Sequence, residues 1–166
     1  MKAIKFFAIA ILFSGVSVLS IAQDTKEVTA NVEILAPITI SDVVSMNFGK
    51  LLSVNNAYDV VLATTGAITS TNLAAIQLAG TTAAGSLKVN GAPDANFVLT
   101  LPSTDIDITG AGAAMKLTSF VSNLTGNKGK ILSGGTPVTL GATLKVNAKQ
   151  AVGTYEGKFD VTVAYE

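Results

Sequence analysis

Asp105 and Asp107, with Ile106 between them, are the sharpest candidate for chemistry in this chain. On an extended backbone residues two apart share a face, so the pair could offer carboxylates to calcium, which takes roughly six to eight oxygen ligands. The surroundings lack the Asp, Asn and Gly density of a dedicated calcium loop, and the pair reads as a solvated strand face. Asn123-Leu124-Thr125 fits the acceptor pattern for N-glycosylation and reads here as a polar turn. Tyr58, Tyr155 and Tyr165 carry rings that can stack on sugars. A strand tyrosine, however, commonly sits half in the core and half at its rim. With aromatics at only 6% of the chain, a stacking platform would be thin.

The missing residue types exclude more than the present ones offer. There is no His and no Cys. The commonest general base, the thiol nucleophile and the usual zinc ligands are therefore absent, and a Ser-His-Asp triad is impossible. No serine stands in a recognisable nucleophile setting. The glycines fall in turns rather than in a phosphate-cradling loop that opens a helix. The chain is expected to be no enzyme, with no cofactor and no metal. Stability must come from packing and sheet hydrogen bonds, since no disulfide can form.

The opening stretch predicts export. Lys2 and Lys5 precede an apolar run from Phe6 to Leu19, and Ser20-Ile21-Ala22 has the small-x-small pattern of a cleavage site before Gln23. The run falls short of the ~20 residues a bilayer span needs. Residues 1–22 are read as a signal peptide cut between Ala22 and Gln23, and 23–166 as one domain without a membrane span. The expected address is the periplasm, the cell surface or the medium. Losing Lys2 and Lys5 leaves nine lysines against eleven acidic groups, a net charge of −2. Nucleic acid requires a basic surface, and none exists to meet it.

Period-two alternation runs through the rest. Val28, Ala30, Val32, Ile34, Ala36, Ile38 and Ile40 are even-numbered and apolar, which predicts a strand over 28–40 with Pro37 as an edge or break. Further strands are expected over 44–52 (Met46 and Phe48 inward), 58–63, around Ile68, 86–90, 96–101, 104–109, 114–121 with a bulge before Phe120, and 138–148. Residues 73–78 fit either a helical turn or a strand. Asn90-Gly91 predicts a hairpin, and TGNKGK (125–130) and Ser133-Gly134-Gly135 predict turns. The close, GTYEGKFDVTVAYE, alternates most regularly: Tyr155, Gly157, Phe159, Val161, Val163 and Tyr165 share one parity. Some nine to eleven short strands with no sustained helical period predict an all-β, immunoglobulin-like antiparallel β-sandwich.

That ending resembles the C-terminal signature of bacterial pilins assembled by the chaperone–usher route. Gly153 is fourteenth from the end, Tyr165 is penultimate, and apolar residues alternate between them. The early stretch VTANVEILAPITISDVVSMNFGKL is similar to the first strands of such subunits and of spore-coat-U-like secreted proteins. The fullest resemblance is to a bacterial domain-of-unknown-function family of secreted β-sandwiches. It is carried by ITISDVVSMNFG (38–49), NFVLTLP (96–102), GATLKV (141–146), and Gly153 to Gly157 ahead of Val161 to Tyr165.

The pilin resemblance implies an incomplete sandwich. Its last strand (Gly153, Tyr155, Gly157, Phe159, Val161, Val163, Tyr165) would pair by strand addition with a periplasmic chaperone or a second copy of the chain. Two departures bear on this. Pilins of that route usually carry a disulfide near the first strand, and Pro37 stands near one of its expected positions. Only Gln23 to Glu27 precedes the strand predicted at 28–40, so either that strand doubles as the donor or there is none. The sequence-level expectation is thus an exported structural or adhesive protein that is pilin-like. The alternative is a monomeric secreted ligand-binding module of carbohydrate type.

Overall fold

The computed structural model describes residues 24–76 and 80–166. The proposed cleavage site at Ala22 and Gln23 lies outside them. The chain divides into two units, Met1–Glu33 and Ile34–Glu166. In the first, residues 24–33 carry no helix or strand, and every one is exposed.

The second unit is built almost wholly from short antiparallel strands: β1 (Thr39–Val44), β2 (Tyr58–Leu62), β3 (Ile68–Ser70), β4 (Gly85–Asn90), β5 (Asn96–Thr100), β6 (Ile106–Gly110), β7 (Met115–Ser122), β8 (Lys128–Lys130), β9 (Thr136–Val146), β10 (Tyr155–Glu156) and β11 (Thr162–Tyr165). Single 3-10 turns occupy Leu73–Ile76 and Thr125–Asn127. The larger sheet runs β1-β4-β9-β7-β6-β10, with β2 and β3 branching from β9. The smaller runs β11-β5-β8. The result is the antiparallel, immunoglobulin-like β-sandwich that the sequence predicts.

β9 organises the larger sheet because it is the longest strand. Its first half pairs with β4, its second half with β2, and its other edge with β7. The expected bulge in β7 is present: the register with β9 shifts between Thr118 and Val121, and Ser119 takes φ 52°. Alternation sends one face of each strand inward. Leu87 and Val89 of β4, Phe97 and Leu99 of β5, and Val138 and Leu140 of β9 meet between the sheets with Ile131. A second cluster gathers on the larger sheet, from Tyr58, Val60, Met115, Leu117, Leu144 and Val146.

Five expectations are corrected. Residues 28–38 form no strand; pairing starts at Thr39 against Asn90. Val28 to Pro37 are exposed, so their alternation has no neighbouring edge to pair with. Residues 45–52 form no strand beyond a bridge from Asn47 to Ala83, because Met46 and Phe48 serve as plugs against the core clusters. Asn90-Gly91 makes no hairpin. β4 and β5 belong to different sheets, and residues 91–95 cross between them, a span longer than a two-residue turn can provide. The second half of TGNKGK is β8, since Lys128 to Lys130 find an open side of β5. The closing alternation is not one strand but two short ones on different sheets, β10 on β6 and β11 on β5. The segment 73–78 is a helical turn over Leu73–Ile76.

Candidate interaction edge at the C-terminal segment

The closing segment crosses from one sheet to the other. Tyr155 and Glu156 pair with Gly110 and Thr109 at the margin of the larger sheet. Thr162 to Tyr165 then pair with Thr100 to Phe97 at the margin of the smaller. Gly157 permits the departure. A Cβ there would stand 2.7 Å from the Asp107 carbonyl and would also meet the Ile108 side chain, so only glycine passes that close to β6. Phe159 anchors the middle of the crossing against Phe120, with ring centroids 4.8 Å apart and planes tilted by 54°, a favourable aromatic geometry.

The alternation persists across both strands and the gap between them. Tyr155, Gly157, Phe159, Val161, Val163 and Tyr165 are all half-buried, whereas Thr154, Glu156, Lys158, Asp160, Thr162 and Ala164 are all exposed. The inward parity packs on both clusters, and Phe159 and Met46 touch each of them. None of the six is fully buried. Gly153, the first residue of the predicted interaction strand, is exposed at φ 151°.

A cleft explains the half-burial. About 1100 Å³ lies between this segment and residues 43–53, floored by Met115, Leu117 and Leu144 and walled by Met46, Phe48 and Phe159. Here the larger sheet is faced by loops rather than by a strand of its partner sheet. Tyr58 also lines the cleft, but its hydroxyl donates to the Leu52 carbonyl at 2.7 Å and its ring is buried. Burial raises its pKa above the ordinary phenol value.

Among the described residues the free sheet edges differ in how they are protected. β3, β8 and β10 have only two or three residues each. β8 adds two lysines, ion-paired to Glu166 and to Asp94. β1 is interrupted by a register shift after Ser41, with Asp42 at φ 51°. Short length, lysine and bulges are the devices that stop an edge from recruiting another strand. β11 carries none beyond its modest length: it reads Thr-Val-Ala-Tyr and pairs with β5 without a break. The Glu166 amide donates to the Asn96 carbonyl at 3.1 Å. In an antiparallel ladder bonded pairs alternate, so the amides and carbonyls of Val163 and Tyr165 face away from β5, toward the open side.

Tyr165 closes the end of this edge. Its hydroxyl accepts from the Ala92 amide at 2.8 Å and donates to the Ala36 carbonyl at 2.5 Å. Nothing in the sequence pattern marks this bridge, which spans 73 residues in one direction and 129 in the other.

Of the other candidates, Tyr155 lines the cleft, whereas Asp105, Asp107 and Asn123 do not. Asp107 is ion-paired to Lys116 at 2.7 Å, and that hydrogen bond, with the attraction between the charges, raises the lysine's pKa. Asp105 precedes β6 and is exposed. Asn123 receives the Thr139 amide at 2.9 Å on its side-chain oxygen, the polar-turn role expected of it. Tyr155 donates to the Ala151 carbonyl at 2.8 Å.

The sequence profile of a family described as domain of unknown function (DUF4402) matches residues 38–165. The chain belongs to the DUF4402 family. The matched span covers every strand of the DUF4402 sandwich, from just before β1 to the last residue of β11. No curated protein and no solved structure matches the chain. No helix among the described residues is long and apolar enough to cross a membrane.

Proposed function

We propose that this is an exported, non-enzymatic structural or adhesive subunit, pilin-like in that its C-terminal segment is an assembly surface. The open margin of β11, with half-buried Phe159, Val161 and Val163 beside an apolar cleft, carries the reading. A strand added there would satisfy the outward backbone groups of Val163 and Tyr165 and cover the cleft. That is binding by β-augmentation, in which main-chain bonds give affinity and alternate side chains give specificity. The partner is a second copy of the chain or a periplasmic chaperone. A net charge near neutrality and a paucity of catalytic groups are compatible with such a role.

Replacing Val163 with Asp tests it. The variant puts a charge on the inward parity of the edge. Light scattering after size exclusion, on protein recovered from a periplasm, should find wild-type concatemers or a co-purifying chaperone. Val163→Asp, checked for folding by circular dichroism, should be lost from both. Unchanged assembly overturns the proposal. The cleft also favours a second reading, a monomeric ligand-binding module of carbohydrate type. A strictly monomeric wild type whose Phe159→Ala variant loses oligosaccharide binding would establish that one instead.

A further inference from the structure

We propose that β11 pairs antiparallel with β11 of a second copy of the chain, about a two-fold axis at Thr162. This rests on the reading of β11 as an open edge and adds the partner, the direction and the register. Among the described residues no strand pairs with the side of β11 away from β5. The parity of the closing segment runs unbroken from Tyr155 to Tyr165, and no residue from Thr154 to Glu166 has a positive φ. Residues 157–161 belong to no strand, so the edge offered to a partner is longer than β11 itself.

A two-fold contact presents the same patch twice and closes on itself. Its register is decided by which side chains come to stand opposite one another. With the axis at Thr162, Lys158 stands opposite Glu166 on the exposed parity, and symmetry supplies that pair twice. Thr162 stands opposite its own copy. On the half-buried parity Phe159 stands opposite Tyr165, and Val161 opposite Val163. Opposite charges, paired threonines and paired aromatics are favourable cross-strand combinations, and this one register brings all three together. Among the described residues Lys158 makes no ion pair. Glu166, already paired with Lys128, would take Lys158 of the second copy as a further cation.

Neighbouring registers do worse. An axis at Asp160 sets that carboxylate against its own copy, and one at Val163 sets Asp160 against Glu166; like charges directly opposite destabilise a pair. An axis at Val161 or at Ala164 matches no opposite charges. The bonding agrees with the axis at Thr162. The outward groups of Val163 and Tyr165 meet Val161 and Phe159, which face outward by the same alternation, so each pair exchanges both bonds.

Cysteine scanning decides the matter, since the chain has no cysteine of its own. Residue 162 would meet its own copy at a non-bonded position, where Cα atoms stand about 4.5 Å apart, within disulfide range. The full chain carrying Thr162→Cys, checked for folding by circular dichroism and oxidised mildly at micromolar concentration, should form covalent dimers at least about tenfold faster than Ala164→Cys. Ala164→Cys should link instead to Asp160→Cys when the two are mixed. Charge reversal gives a second readout. Lys158→Glu and Glu166→Lys should each weaken self-association about tenfold, and an equimolar mixture should restore it, because each chain then meets opposite charges. Equal rates for Thr162→Cys and Ala164→Cys, faster self-linking at Val161→Cys or Val163→Cys, no covalent dimer, or a mixture that associates no better than either variant alone would each overturn the symmetric pair. Loss of assembly in Val163→Asp with no preference for Thr162→Cys keeps the assembly surface and removes the symmetric pair. Preferential linking through Thr162→Cys in a protein that gives dimers only, without concatemers or a chaperone, keeps the pair and removes the assembly reading.

Discussion

Tyr165→Phe isolates one hydroxyl at the junction of three segments. The ring stays, so the half-buried packing against the core is unchanged. The Ala92 amide, on a residue only 8% exposed, loses its acceptor. An unsatisfied buried amide costs about 1–3 kcal/mol. The lost bond to the Ala36 carbonyl lies at an exposed site and adds about 0.5 kcal/mol or less, because water replaces it. Water also reaches part of the loop over residues 91–95, so the lower half of the range applies, about 1–2 kcal/mol in all. With a urea dependence of about 2 kcal/mol per molar, the unfolding midpoint should fall by about 0.5–1 M at an unchanged slope. Tyr155→Phe is the internal comparison. Its hydroxyl serves a carbonyl at an exposed site, and its removal should cost less than about 0.5 kcal/mol. Equal shifts for the two variants, or a shift below about 0.2 M for Tyr165→Phe, would refute the claim that Tyr165 satisfies a buried group.

Three further outcomes are expected. Gly129 lies level with Phe97, and a Cβ there would stand 2.7 Å from the Phe97 Cε1 atom; Gly129→Ala should destabilise by about 1–3 kcal/mol through overpacking, and by clearly less in a Phe97→Leu background, as a double-mutant cycle in urea would measure. Phe97 is fully buried, so Phe97→Ala should cost about 3–5 kcal/mol in the same assay. The hydrogen bond from Lys130, with its charge, lowers the Asp94 carboxyl below its ordinary pKa; its stabilising contribution is therefore present above the unfolded-state pKa and lost as pH falls through the folded one, and an NMR titration should show the Asp94 midpoint rising toward the ordinary value in Lys130→Met.

Much of the sandwich is legible in the sequence because period two reports a strand with one face in a core. β2, β4, β5, β7 and β9 all show it, and the bulge in β7 could be read from the break in phase before Phe120. Period two does not report whether an edge is available for pairing. Residues 28–38 alternate as regularly as β9 does, yet only the latter is paired, since pairing depends on what folds beside a segment. Sheet membership was equally hidden. Asn90-Gly91 has the local chemistry of a tight hairpin, but the chain there crosses between sheets and Gly91 packs against the Tyr165 hydroxyl and Ile131. β8 was obscured by its composition: Lys-Gly-Lys has no strand preference. Its glycine is there because the Phe97 ring fills the space a side chain would take.

The C-terminal end of the chain poses a physical problem. A fully covered strand would bury its inward residues, as β9 buries Val138, Leu140, Leu144 and Val146 to 5% exposure or less. Phe159, Val161, Val163 and Tyr165 point inward by the same rule and remain half-exposed. The deficit is not one of residue type, since valine, phenylalanine and tyrosine fill cores elsewhere in this chain. It is one of coverage, and it lies beside the β11 edge, which lysine and bulges leave unguarded. A strand laid on that edge would take the apolar surface of Phe159, Val161 and Val163 out of water and would satisfy the outward backbone groups of Val163 and Tyr165, so that the same addition would fill both the coverage and the hydrogen-bonding deficits.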